Sequence, residues 1–162
     1  MTDAINWASW AIWGLAATVV LTTIMAGSVG LGLTRMSMPL LLGTIFTADR
    51  DRARLAGIAV HLLNGLIFSI VYVLTFHVWG GPTWWKGAVI GLVHAAFVGA
   101  AVLPALPGMH PRMASETDGP NRGRVLEPPG FLGLHYGRQT PITIVVAHVA
   151  FGVILGVFYR PA

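Results

Sequence analysis

The chain has 162 residues, 55% of them hydrophobic and only 10% charged, where soluble domains carry about 25% charged residues. A formal net charge of +4 could suggest nucleic acid, but the charges sit in two loops rather than along a binding face. There is no cysteine, which excludes disulfides, thiolate metal sites and cysteine nucleophiles.

Four long charge-free runs follow one another, roughly residues 7–33, 55–76, 87–106 and 142–159. A membrane-spanning helix needs about 20 apolar residues, with a range of about 17–25. All four qualify, and lipid forces them to be helical because it cannot satisfy exposed backbone groups. The first run is not expected to be a cleaved leader. Asp3 precedes it in place of a basic cluster, it is too long, and no clear small-residue cleavage site follows.

Helix one carries Gly14, Thr18, Thr22 and Ala26 at four-residue spacing. The loop after it holds Arg35, Met36, Met38, Pro39 and the apolar stretch 40–46, read as a short interfacial segment. Helix two carries His61, Gly65, Ser69 and Tyr72. Helix three carries Gly87, Gly91, Ala95 and Gly99, again every fourth residue, with His94 near its middle. The next loop contains an insertion, residues 111–130, whose Pro111, Pro120, Pro128 and Pro129 forbid a long helix. It offers too few apolar residues for a second core, so an irregular loop lying on the cytoplasmic face is expected. Helix four carries His148, Gly152, Gly156 and Tyr159.

Helices two and four therefore echo each other: His61, Gly65 and Tyr72 recur as His148, Gly152 and Tyr159, with Ser69 opposite Gly156. Eleven residues at about 100° each return nearly to the starting angle, so each His and its Tyr share one helical stripe with the small residues between them. Helices one and three correspond in the same manner. The expectation is an all-α membrane protein of four transmembrane helices, built as two parallel-repeated hairpins over residues 7–76 and 84–160. The small residues Gly65, Ser69, Gly87, Gly91, Gly99, Gly152 and Gly156 are expected at helix contacts, because close backbone approach is how membrane helices gain packing energy.

Eight of the ten basic residues lie in the two long loops, namely Arg35, Arg50, Arg52, Arg54, Arg112, Arg122, Arg124 and Arg138; only Lys86 and Arg160 lie on the other side. That asymmetry places the long loops in the cytoplasm and both termini outside. Trp7, Trp10, Trp13, Trp79, Trp84 and Trp85 all fall at the opposite, outer boundary, where indole rings favour the headgroup level. Tyr72 and Tyr159 approach the same boundary and read as interface anchors.

Chemistry-bearing residues are few. His61 and His148 sit at similar depth, about two turns inside the cytoplasmic ends of their apolar runs, and intramembrane ionisable groups are expensive. Their first reading is structural: one hydrogen bond to Thr, Asn64 or a carbonyl satisfies a neutral imidazole. The alternative is a metal or haem ligand pair, with His94 as a third member or as a packed histidine. Met109, His110 and Met113, near Met36 and Met38, form a loose set of soft ligands suited to Cu(I) and equally ordinary as helix-end filler. Every carboxylate lies outside the spans, and neither a phosphate-cradling glycine loop nor a paired-histidine zinc helix is present. No enzyme signature emerges.

The run Gly108-Met109-His110-Pro111-Arg112-Met113, the Tyr136-Gly137-Arg138 turn with Thr140-Pro141, and the stripe His148, Gly152, Gly156, Tyr159 resemble a loose group of small bacterial four-helix membrane proteins. The resemblance covers about a third of the chain. It implies the bacterial inner-membrane, multi-pass class and transfers no activity. The first functional expectation is a non-enzymatic bundle without cofactor, bound in the lipid bilayer as an accessory subunit of a membrane complex or as a homo-oligomer. The second is a haem-, tetrapyrrole- or metal-binding subunit using His61 and His148; the third is a small-solute carrier or channel.

Overall fold

A computed structural model describes residues 4–115 and 119–162. The carboxylate Asp3 named above, and Glu116 and Asp118, lie outside the described residues. Four helices are long and apolar enough to cross a membrane: Trp7–Gly30, Arg50–Val78, Trp84–Met109 and Thr140–Phe158. In chain order the elements are α1 (Trp7–Gly30), the short α2 (Met38–Gly43), α3 (Arg50–Val78), α4 (Trp84–Phe97), α5 (Leu103–Met109) and α6 (Thr140–Phe158). A π-helical turn, Val98–Val102, joins α4 to α5, so these three form one continuous span.

Helix starts follow local capping chemistry. The side chain of Asn6 accepts from the Ser9 amide ahead of α1, and Asp49 accepts from the Arg52 amide ahead of α3, each satisfying an amide that the helix itself cannot. The α3–α4 turn is tight: Gly80 and Gly81 adopt φ of 77° and 91°, a region open to glycine at little cost. The Lys86 ammonium then donates to the carbonyls of Trp79, Gly80 and Gly81 at 2.7, 3.2 and 2.9 Å, closing the C-terminal end of α3. The π turn has an equally local origin. Pro104 lacks the amide that would bond Ala100 and its ring crowds that carbonyl, and the ladder widens so that the Leu103 amide bonds Val98.

The helices meet through their small residues. A Cβ on Gly87 would overlap the backbone carbonyl of Gly152, one on Gly91 the carbonyl of His148, and one on Gly156 that of Thr83. α4 and α6 therefore run nearly backbone to backbone, the closest pair of long helices. α1 packs against α3, with Gly14 facing Ser69 and the Thr18 side chain filling the space over Gly65. It also packs against α6, whereas the consecutive helices α3 and α4 scarcely touch. Gly99 meets Leu132 of a 3₁₀ segment rather than a long helix, and Ala26, the last of the helix-one row, is exposed.

The tryptophans and the termini gather at one end. Trp13 stacks on Phe158 with centroids 4.5 Å apart, the Arg160 amide donates to the Ser9 hydroxyl, and the Ala162 amide to the Ala4 carbonyl. At the other end α2 lies across the start of α3, with Gly43 against the Ala53 backbone and Gly57 against that of Pro39. The two loops there are joined. Thr34 and Thr140 share a buried hydroxyl–hydroxyl bond of 2.7 Å, and Arg35 grips Glu127 through two nitrogens at 2.9 and 3.3 Å.

One sequence expectation is overturned. Tyr72 and Tyr159 are not interface anchors; they are 1% and 0% exposed. The glycine stripe on which each sits faces another helix, so the ring follows it inward, and its hydroxyl finds an internal partner as buried phenols require. Tyr72 bonds His94, and Tyr159 accepts from the Asn6 amide at 3.4 Å.

Candidate functional site

Three of the long helices each deliver one histidine to a single cavity of about 140 Å³. His61 comes from α3, His94 from α4 and His148 from α6; Thr18, Leu21 and Met25 of α1, together with Met36 and Met38, complete the wall. His94 and His148 meet edge to face at 4.6 Å, and Phe68 stacks on the other side of His94, also at 4.6 Å. Phe151 closes the end below Tyr72.

Each imidazole is anchored through Nδ1. His148 Nδ1 lies 2.8 Å from the Ile144 carbonyl; a carbonyl only accepts, so Nδ1 carries the proton and Nε2 is a bare acceptor. His61 Nδ1 lies 3.0 Å from the Thr22 hydroxyl. The Thr22 hydroxyl also lies 2.7 Å from the Thr18 carbonyl; when its hydrogen is directed there, Nδ1 of His61 donates and its Nε2 is an acceptor. His94 Nδ1 lies 3.0 Å from the Tyr72 hydroxyl, a pair in which either member can donate. Its Nε2 adapts accordingly. Among the described residues none of the three Nε2 atoms has a hydrogen-bond partner.

The wall is uneven. Its α1 and α6 residues, Thr18, Leu21, Met25, Ile144, His148 and Phe151, are buried, whereas Met38 and Leu42 on α2, Asn64 and Phe68 on α3, His94 on α4 and Val98 and Val102 on the π turn are half-buried. The backbones of α3 and α4 stay apart here and meet through Phe68 and Tyr72 against His94, so the open side lies toward the loops from that contact, at Asn64, Val98 and Val102. Asn64 stands at that opening, at the midpoint of α3. It is not the partner of His61, a role taken by Thr22, and its own amide has no hydrogen bond within the described protein.

Of the residues expected to carry chemistry, His61, His94 and His148 come together. Met109, His110 and Met113 do not. Met109 is 78% exposed while His110 and Met113 are buried, and both ring nitrogens of His110 are engaged: Nε2 lies 2.9 Å from the Leu41 carbonyl and Nδ1 accepts from the Arg112 amide at 3.1 Å. No lone pair remains there for a metal. Sequence reasoning missed Met25, Phe68, Phe151 and the Tyr72–His94 bond. The signal for the last was present, since Tyr72 shares the glycine stripe.

The cavity also limits what the histidines can hold. An apolar cavity of about 150 Å³ accommodates benzene; a tetrapyrrole, four such rings across a macrocycle, exceeds it. No group of three His, Asp or Glu side chains among the described residues is arranged to hold a metal ion. Fold and site together define an all-helical chain whose four membrane-length helices enclose a histidine-lined, mainly apolar cavity. Comparison with family models, curated proteins and solved structures gives no match for this chain.

Proposed function

We propose that the chain is a non-enzymatic, multi-pass protein of the bacterial inner membrane that holds a small neutral molecule in its histidine cavity, acting alone as a homo-oligomer or as an accessory subunit. The observation that carries this reading is the paired arrangement of His61 and His148. Each is held through Nδ1 by a partner within the protein, has no partner for Nε2 among the described residues, and lines one shared cavity. A bare acceptor in an apolar setting is costly unless something donates to it. His110 satisfies both nitrogens within the protein, while His77, outside the cavity, bonds the Val73 carbonyl through Nδ1 and leaves Nε2 without a partner; what sets His61 and His148 apart is that both line one cavity.

The two hairpins are read as copies of one unit, entering the membrane from the same side. The support is that small residues at equivalent places mediate both pairs, Gly14 and Thr18 against Ser69 and Gly65, and Gly87 and Gly91 against Gly152 and His148. His94 stands where the first copy has Leu21, and both residues line the cavity. The arginine-rich loops are taken as cytoplasmic and the tryptophan-rich end with both termini as external. The absence of charged residues from the cavity wall favours a neutral occupant over an ion.

Native mass spectrometry of the chain purified in mild detergent tests this reading. A stoichiometric small-molecule adduct is expected, reduced in a folded His61→Leu/His148→Leu double variant. Identical, adduct-free spectra for both proteins would leave the histidines as structural groups.

A further inference from the structure

We propose that the occupant, on the reading just given, is a membrane-dissolved ring alcohol of the alkylphenol or alkylhydroquinone class, and that it enters sideways from the bilayer between α3 and α4. Four observations converge. The size is that of one six-membered ring: the cavity is about 140 Å³, and about 150 Å³ suffices for benzene. The wall suits such a ring, with Phe68 and Phe151 as aromatic faces and Met25 as an adaptable thioether.

The polar requirement is specific. His148 presents an acceptor fixed by its Nδ1 bond to a carbonyl, and His61 presents a second when the Thr22 hydroxyl is directed to Thr18, so the fitting occupant brings O–H or N–H donors. A quinone or ketone, which only accepts, leaves both lone pairs unpaired. A charged ligand would find no counter-charge in the wall. A hydroxylated ring satisfies the acceptors and remains neutral.

The entrance fixes the phase from which the molecule comes. Asn64 lies 14 residues from either end of α3, about 21 Å along the helix from each, so the opening is at the centre of a hydrocarbon layer about 30 Å thick. The π turn at Val98–Val102, forced by Pro104, sets Val98 and Val102 on the opposite lip. Water-soluble molecules do not collect at that depth; an alkyl-tailed ring does, with its tail left in lipid between the helices. The unpartnered Asn64 amide is placed to meet a hydroxyl as it passes inward.

The test compares three probes that share one tail: a short-chain alkylhydroquinone, the matching alkylquinone and the matching alkylbenzene, titrated calorimetrically into wild-type protein in detergent. The hydroquinone is expected to bind one to one and at least about tenfold more tightly than either analogue, since an unpaired buried acceptor weakens binding by that order. Val98→Trp, which fills the lip one turn from His94, should abolish binding while the protein still unfolds cooperatively. Nitrogen-15 spectra of histidine-labelled protein should show His61 and His148 protonated at Nδ1 only. Equal binding of all three probes would overturn recognition of the hydroxyl while leaving a ligand cavity in place. Binding that survives Val98→Trp would overturn the lateral route. Failure of all three probes to bind would overturn both this inference and the ligand-holding reading beneath it.

Discussion

Thr22 and His61, 39 positions apart, are joined by a 3.0 Å bond, and the same Thr22 hydroxyl lies 2.7 Å from the Thr18 carbonyl. Directing its hydrogen to Thr18 puts the His61 proton on Nδ1. The same hydroxyl also ties the two helices together in the middle of the bundle.

Removing that hydroxyl should be costly. Thr22→Val keeps the shape but leaves the Nδ1–H of His61 without an acceptor, at about 1–3 kcal/mol. Tyr72→Phe removes the partner of His94, which can exchange tautomers, so the loss should lie nearer the membrane average of about 0.6 kcal/mol. Reversible unfolding in mixed micelles measures both. A larger loss for Tyr72→Phe than for Thr22→Val would contradict the assigned proton positions.

The glycine contacts make a sharper test. Gly87→Ala places a methyl group into the Gly152 carbonyl, with backbone on both sides unable to yield, so it should destabilise by about 1–3 kcal/mol or more. Gly27→Ala, where nothing lies within 4 Å of the added carbon, should be neutral or slightly stabilising. Similar unfolding curves for the two variants would mean that α4 and α6 do not pack as described.

Orientation can be read by labelling in this cysteine-free background. Val125 is 74% exposed at the loop end of the bundle and Ala162 is exposed at the tryptophan end. With the proposed orientation, Val125→Cys should react with an impermeant reagent only after the membrane is opened, and Ala162→Cys without opening. The reverse pattern would invert the topology.

The loop junction predicts a pH signature outside the membrane span. Burial first, and the charge of Glu127 second, push the Tyr136 phenol up to about 12, with Arg35 opposing. Because the folded value is raised above the usual 10, the neutral phenol's contribution is present below pH 10 and lost as pH rises through about 12. A phenolate difference titration should show this step, absent in Tyr136→Phe and shifted downward in Glu127→Gln. An unshifted step in Glu127→Gln would remove the carboxylate from the explanation.

The four spans and the residues at which helices touch were legible along the chain, because lipid admits only long apolar helices and close packing within it requires small side chains. Gly87, Gly91, Gly152 and Gly156 stand at contacts for that reason. The inward turn of Tyr72 and Tyr159 was not. Tyrosine at a helix end suits a membrane boundary and a buried hydrogen bond equally, and only the neighbouring helix decides between them.

Sequence alone determined that His61 and His148 share a spacing, a stripe and an approximate depth, since those follow from helical geometry within each segment. The tertiary structure decided that His94 joins them, that Thr22 rather than Asn64 holds His61, and that α3 meets α4 at the cavity through Phe68 and Tyr72 rather than backbone to backbone. These are relations between residues on different helices. They depend on how the helices rotate and how closely they approach, quantities fixed by packing across the whole bundle and carried by no single stretch of chain.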